Sequence, residues 1–155
     1  MNMRSVIGDI TDSSAECIVS AANTVGVMGK GVAKSIKEKF PWCYSPYKQV
    51  CDEKKLNPGS IFVVKIEVYP ESDYPTIIHI TTKDHWKGSS RLEWIISGCK
   101  ELKEYLNSNE IKSVALPRLG CGFGGLPWDL VEPEMDKVFS DIDCNVLIYE
   151  RGDSN

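Results

Sequence analysis

Short apolar blocks alternate with amphipathic stretches along the chain, and each block predicts an element. Residues 5–10 read as a first strand. Residues 17–22, Cys-Ile-Val-Ser-Ala-Ala, are short and continuously apolar, so they read as a buried strand. A helix is predicted over 32–40, stopped by Pro41, and a second over 44–54. Asn57-Pro58-Gly59 then makes a turn. Residues 61–68 and 76–82 read as two strands joined by a Pro-containing loop. The strongest helical pattern covers 91–106, where Leu92, Ile95, Ile96, Cys99, Leu102 and Leu106 share one face at steps of three and four. Ser90 and Glu93 match a capping box at its start. A strand over 112–116 ends at Pro117, a helix follows over 129–139, and the last strand covers 145–149. The alternation predicts an α/β protein, with a mixed, mostly parallel sheet and helices on both faces. In such sheets ligands bind at the carboxyl ends of the strands.

Two glycine-rich segments sit at strand-to-helix junctions: Gly26-Val27-Met28-Gly29-Lys30-Gly31 and Gly120-Cys121-Gly122-Phe123-Gly124-Gly125. Glycine lets backbone N–H groups approach a ligand closely, and a helix N-terminus just beyond favours phosphate. One such loop is ordinary turn chemistry. Two at the same sheet edge can grip both phosphates of a diphosphate. Neither is a Walker loop, because the Gly-Lys-Ser/Thr ending is missing. Neither is a G-x-G-x-x-G with a ribose-binding acid at the right distance. Asn23, just before the first loop, suits either a sugar hydroxyl or a turn cap. Asp9, after Gly8, suits either an amine such as adenine N6 or a plain turn.

Composition narrows the field. With 155 residues, 42% of them hydrophobic and 26% charged, the chain suits one globular domain, here taken as 1–155 with a short tail at 151–155. The net charge of -4 lacks the basic surplus of a general nucleic-acid binder. Lys83, Lys87 and Arg91 lie close together, either as a local basic patch or as a solvated face. None of the six cysteines forms a C-x-x-C pair, and the two histidines are His79 and His85, so no metal and no cofactor is expected. Cys17, Cys99 and Cys144 lie in apolar runs and read as small core residues. That usage fits a reducing compartment and predicts a cytoplasmic protein. The N-terminal Met-Asn-Met-Arg lacks a signal-peptide pattern, and no apolar run is long enough to span a membrane. A monomer is expected.

Three motifs in order, G-D-I-T at 8–11, A-A-N-T-V-G-V-M-G-K-G-V-A at 21–33 and L-P-R-L-G-C-G-F-G-G-L at 116–126, resemble those of the macrodomain family. The resemblance runs from about Gly8 to Glu150. It implies a three-layer α/β/α fold that binds ADP-ribose. It also implies roles: Asp9 and Ile10 for adenine, with Tyr149 nearby. Asn23 and the loop Gly26, Val27, Met28, Gly29 and Gly31 would hold the distal ribose and a phosphate, with Val32 and Thr82 beside them. Gly120, Cys121, Gly122, Phe123 and Gly124 would wrap the diphosphate.

The segment T-T-K-D-H-W-K-G-S-S-R-L-E at 81–93 is most similar to the DarG branch, antitoxins that strip ADP-ribose from thymidine in DNA. It is also similar to the human terminal ADP-ribose protein glycohydrolase, whose catalytic lysine follows a strand in an I-T-K setting; Lys83 matches it. That ester-cleaving enzyme carries an acid where this chain has Gly124, a departure that favours the DNA-acting branch. DarG has a further toxin-neutralising region that the 155 residues do not contain, so a free-standing enzyme is expected.

Cleavage at the anomeric carbon has oxocarbenium character, and most glycosidases use two carboxylates for it. No carboxylate pair stands beside the glycine loops. A lysine can instead attack the sugar or form a Schiff base with its opened aldehyde, provided its pKa falls. It can also stay charged and stabilise the leaving group. His85 is a candidate proton shuttle or a loop-packing residue. Trp86 suits stacking on a base of single-stranded ADP-ribosylated DNA, with Lys87 and Arg91 on the strand, or packing under the loop. The expected activity is therefore ADP-ribosyl hydrolysis, from thymidine in DNA or from a carboxylate ester or ADP-ribose 1''-phosphate. A module that only reads ADP-ribose would need the glycine loops and not Lys83.

Overall fold

In the computed structural model, which describes residues 3–66 and 74–150, the continuously apolar blocks become the inner strands of one sheet. The strands are β1 (Met3–Ile7), β2 (Cys17–Asn23), β3 (Ile61–Val64), β4 (Thr76–Lys83), β5 (Ser113–Pro117) and β6 (Asn145–Glu150). Their order across the sheet is β1-β6-β5-β2-β4-β3. Every pairing is parallel except that of β3 with β4, so the sheet is mixed and mostly parallel.

The helices α1 (Gly31–Lys39), α2 (Tyr44–Asp52), α3 (Leu92–Ser108) and α4 (Trp128–Phe139) cover both faces. Successive strand side chains point to opposite faces. Cys17 and Val19 of β2, Ile78 and Ile80 of β4, and Val114 and Leu116 of β5 pack with α3 and α4. The intervening Ile18, Ile77 and Ala115 pack with Ile36 of α1 and Tyr47 of α2. This is the three-layer α/β/α arrangement. Cys17, Cys99 and Cys144 are buried and unpaired, as small core residues. Among the described residues no helix is long and apolar enough to cross a membrane.

Three expectations change. The first strand ends at Ile7 rather than at residue 10, because Asp9 takes the chain out of the sheet: its carboxylate accepts the Thr11 N–H (2.9 Å) and hydroxyl (2.7 Å) and caps a short 3₁₀ turn at Ile10–Asp12. The Ser90/Glu93 capping box does not form. Arg91 occupies the cap of α3 without a side-chain bond. Ser90 is buried and ties elements together instead, donating its hydroxyl to Thr82 Oγ1 (3.4 Å) and its N–H to the Gly124 carbonyl (3.1 Å). The strand predicted over 61–68 is observed as Ile61–Val64; residues 67 and 68, like the tail 151–155, lie outside the described residues.

His79 makes stability depend on pH. Its ring is fully buried on β4 and stacks on Tyr47 at 4.4 Å, with Nε2 bonded to the Cys43 carbonyl at 3.1 Å. Burial lowers its pKa from 6.5 to about 4. Between those values the unfolded chain binds a proton that the folded chain refuses, so stability falls as pH drops. The full loss is ~3 kcal/mol from this one group. Denaturant titrations at pH 7.5 and 5 are expected to show a larger drop for wild type than for His79→Gln; equal drops would exclude the histidine as the cause.

Candidate functional site

Five parallel strands present their carboxyl ends to one edge of the sheet, and a cavity of about 870 Å³ lies there. That is the size of a small-molecule site. Its walls come from the β1–3₁₀ junction, the two glycine loops, the end of β4 and the end of β6.

Asn23 shapes the first loop. Its Oδ1 accepts the N–H groups of Val25, Gly26 and Val27 (3.0, 2.9 and 3.3 Å) and the Tyr47 hydroxyl (3.1 Å), while Nδ2 donates to the Val27 carbonyl (2.9 Å). Asn23 is thus a turn cap that also lines the cavity. The folded-back loop turns two predicted residues away. Gly26, at φ +93, lies against α2, where a Cβ would stand 2.8 Å from the Lys48 side chain. Met28 is buried in the core beneath α1 and α2. Val27, Gly29, Gly31 and Val32 do face the cavity, together with Lys30. Helix α1 starts at Gly31 with no side-chain cap, so its first N–H groups lack intrahelical partners, and Gly31, Val32 and Ala33 line the cavity.

The second loop closes the opposite wall. Among the described residues the N–H groups of Gly122, Phe123 and Gly124 have no acceptor, whereas those of Cys121 and Gly125 donate to the carbonyls of Arg118 and Gly122. A Cβ on Gly122 would meet nothing within 4 Å. A Cβ on Gly124 would overlap Ser90 Oγ and the Gly120 carbonyl, closer than real Cβ atoms come. Glycine at 124 is therefore a packing requirement here, and an acid cannot stand there without moving Ser90. The loops meet where the Phe123 ring lies 3.2 Å from the Cβ position of Gly31. Helix α4 begins beyond the cavity lining, so this loop supplies backbone N–H groups without a helix end.

Lys83 is the last residue of β4. Its Nζ donates to the carbonyls of Phe123 (3.1 Å) and Trp86 (3.4 Å), linking β4 to the second loop. Partial burial, and next the charge of Lys30, push its pKa below the ordinary lysine value. No carboxylate pairs with it among the described residues. Thr82 and Ser90 line the wall beside it, with Trp86 and Lys87 at the rim. Lys87 lies over the Trp86 ring at 5.0 Å and Lys30 near the Phe123 ring at 5.5 Å. His85 is exposed outside the lining. It stacks on Trp86 at 5.5 Å, and its Nδ1 accepts the Lys87 N–H at 3.1 Å.

The far end carries Asp9, Ile10 and Tyr149. It also carries a residue that sequence reasoning missed. Arg118 donates to Glu150 (2.9 Å) and lies over the Trp128 ring at 5.1 Å. Its signal was its place directly after the strand-ending Pro117; glycine content points to neither it nor Lys30. The carboxylates lining the cavity are Asp9 and Glu150. At the usual strand spacing, β6 is about 14 Å and β1 about 19 Å from β4 across the sheet. Two-carboxylate glycoside chemistry needs its groups within about 10 Å of each other around one bond, so Glu150, at the end of β6, stands too far across the sheet to share the reacting bond with Lys83.

A Macro domain family model matches residues 19–135. A DNA ADP-ribosyl glycohydrolase of Thermus aquaticus is 36% identical over 149 residues, covering 96% of this chain and 41% of that protein. The chain spans about two fifths of the length of the curated relatives it matches first. The macrodomain of Mycobacterium tuberculosis DarG superposes with a TM-score of 0.88 at 35% identity, over 95% of this chain and 96% of that one. Thermosipho africanus DarTG, solved in complex with ADP-ribose, gives a TM-score of 0.87 at 35% identity, over 96% of this chain and 41% of that one.

Proposed function

The chain belongs to the Macro domain family, and from that membership we propose that it binds ADP-ribose in the cavity and hydrolyses the bond joining the distal ribose to thymidine in DNA, with Lys83 as the reacting side chain. One observation carries this reading: a lysine of lowered pKa stands at one end of a cavity whose middle is lined by unbonded N–H groups and whose acids sit at the other end.

A cavity of about 870 Å³ lined by the ends of both β4 and β6 has room for a dinucleotide-like ligand. Adenine lies at the Asp9, Ile10 and Tyr149 end, the diphosphate lies between the two loops, and the distal ribose lies against Asn23, Thr82 and Lys83. Unpaired N–H groups and a helix start stabilise phosphate charge there. Burial and Lys30 favour the neutral form of Lys83, the form a nucleophile needs. Its lone pair attacks the anomeric carbon, the bond to the base breaks toward the base nitrogen, and that nitrogen takes a proton from a water whose hydroxide takes one from the new C–N ammonium. A second water then displaces the lysine nitrogen: its oxygen stays on the sugar as ADP-ribose, and one of its protons returns to the nitrogen as the free amine.

Two observations favour DNA over other carriers. The relatives at 36% identity are named for DNA ADP-ribosyl hydrolysis. The rim at the Lys83 end combines Trp86, Lys87 and exposed Phe123 on a chain of net charge -4, which concentrates cation and ring surface where a strand would leave the cavity. The test is a substrate panel: thymidine-linked ADP-ribose in single-stranded DNA, a glutamate ester of ADP-ribose, and ADP-ribose 1''-phosphate. Release from the DNA is expected to be fastest, and faster release from either other carrier would overturn the assignment.

A further inference from the structure

Lys83 stands at a weak point of the sheet. It is the final residue of β4, and the ladder beside it is irregular: Ala22 pairs with Thr81, but the next residue, Asn23, pairs with Lys83. The longer strand carries one extra residue, Thr82, across that step. A bulge of this kind re-aims side chains and disrupts the ladder that would otherwise fix them. Beyond it the chain leaves the sheet through the turns at 84–90. The ladder by itself therefore leaves the direction of Lys83 under-determined.

Asp84, the first residue past the bulged strand, is held from the neighbouring strand's end. The Thr24 N–H donates to the Asp84 carbonyl (3.0 Å). The Thr24 hydroxyl lies 2.7 Å from the same carbonyl and 2.8 Å from Asp84 Oδ1, and its single hydrogen is shared between them. Thr24 in turn adjoins Asn23, whose side chain sets the first glycine loop. One dipeptide, Asn23-Thr24, thus holds both the loop and the residue after Lys83.

We propose that Thr24 and Asp84 form a clamp that positions the Lys83 amine for the reaction. Thr24 is a positioning residue: its side chain bonds Asp84, not the cavity contents, and it acts through the main chain adjoining Lys83. The inference rests on the reading of Lys83 as the reacting group.

Thr24→Val keeps the shape and the N–H bond and removes the hydroxyl. Asp84 is exposed, so its carboxylate is left to water without a burial penalty. A full ångström of misplacement costs on the order of a hundredfold in rate; loosening one of two bonded groups is expected to cost about tenfold in kcat. KM and the calorimetric affinity for ADP-ribose should stay within twofold, and Thr24→Ser should restore the rate. Three results would overturn the clamp: wild-type kcat in Thr24→Val, a matching loss of ADP-ribose affinity, or Thr24→Ser as slow as Thr24→Val. Lys83→Ala run alongside separates the two readings. If that variant turns over normally, the assignment of Lys83 fails; if it is inactive while Thr24→Val is normal, the clamp alone fails.

Discussion

Lys83→Ala is expected to release ADP-ribose from thymidine-linked DNA at least ~10³-fold more slowly than wild type, the scale of losing one reacting group. Binding should survive. Lys83 occupies one end of the cavity, whereas the loops that would hold the diphosphate take their shape from Asn23 and from their own backbone bonds. The two carbonyls that Lys83 bonds belong to Trp86 and Phe123, both exposed, so water replaces the amine and the fold is kept. Single-turnover release and calorimetry with ADP-ribose separate the two effects. Wild-type rate should also rise with pH. The neutral amine is the reactive form, and burial plus Lys30 bring its formation below the ordinary lysine range. A rate in Lys83→Ala within tenfold of wild type would remove the lysine from the chemistry.

The second large effect is Gly122→Glu, expected to weaken ADP-ribose binding by at least ~10²-fold. A side chain fits there: a Cβ meets nothing within 4 Å, and the backbone is not left-handed. The glutamate would enter the cradle formed by the unbonded N–H groups of Gly122, Phe123 and Gly124. It would compete for those donors and repel the diphosphate. Two like charges about 4 Å apart near a protein surface repel by roughly 4 kcal/mol, enough for the loss stated. The melting temperature should stay within a few degrees of wild type, so that lost affinity reports the site and not the fold. Unchanged calorimetric affinity would place the phosphates elsewhere.

The sequence carried the strands and both loops for simple reasons. Continuous apolar runs such as residues 17–22 need burial on both faces, and clustered glycines need close backbone approach. It could not carry direction. Gly26 and Met28 belong to the loop motif yet face α2 and the core, because the Asn23 side chain bends the loop back through three N–H bonds. His85 sits two residues from Lys83 and still lies outside the cavity, stacked on Trp86. Ser90 fitted a capping box by spacing, but its hydroxyl is used to join β4 and its N–H to join the second loop. Arg118 and Lys30 reach the cavity from positions whose local pattern says nothing of it.

By itself the sequence determined the element order, the layered α/β arrangement, the two loops and the presence of a lysine at the end of β4. These come from hydrophobic period and backbone freedom, which are local properties. The tertiary structure alone decided that Lys83 reaches the second loop, that burial and Lys30 lower its pKa, that the lining acid Glu150 lies three strands away, and that Gly124 has no room for a side chain. Those are facts of distance between residues far apart in the chain. They are fixed by strand order and by packing, which no single segment specifies.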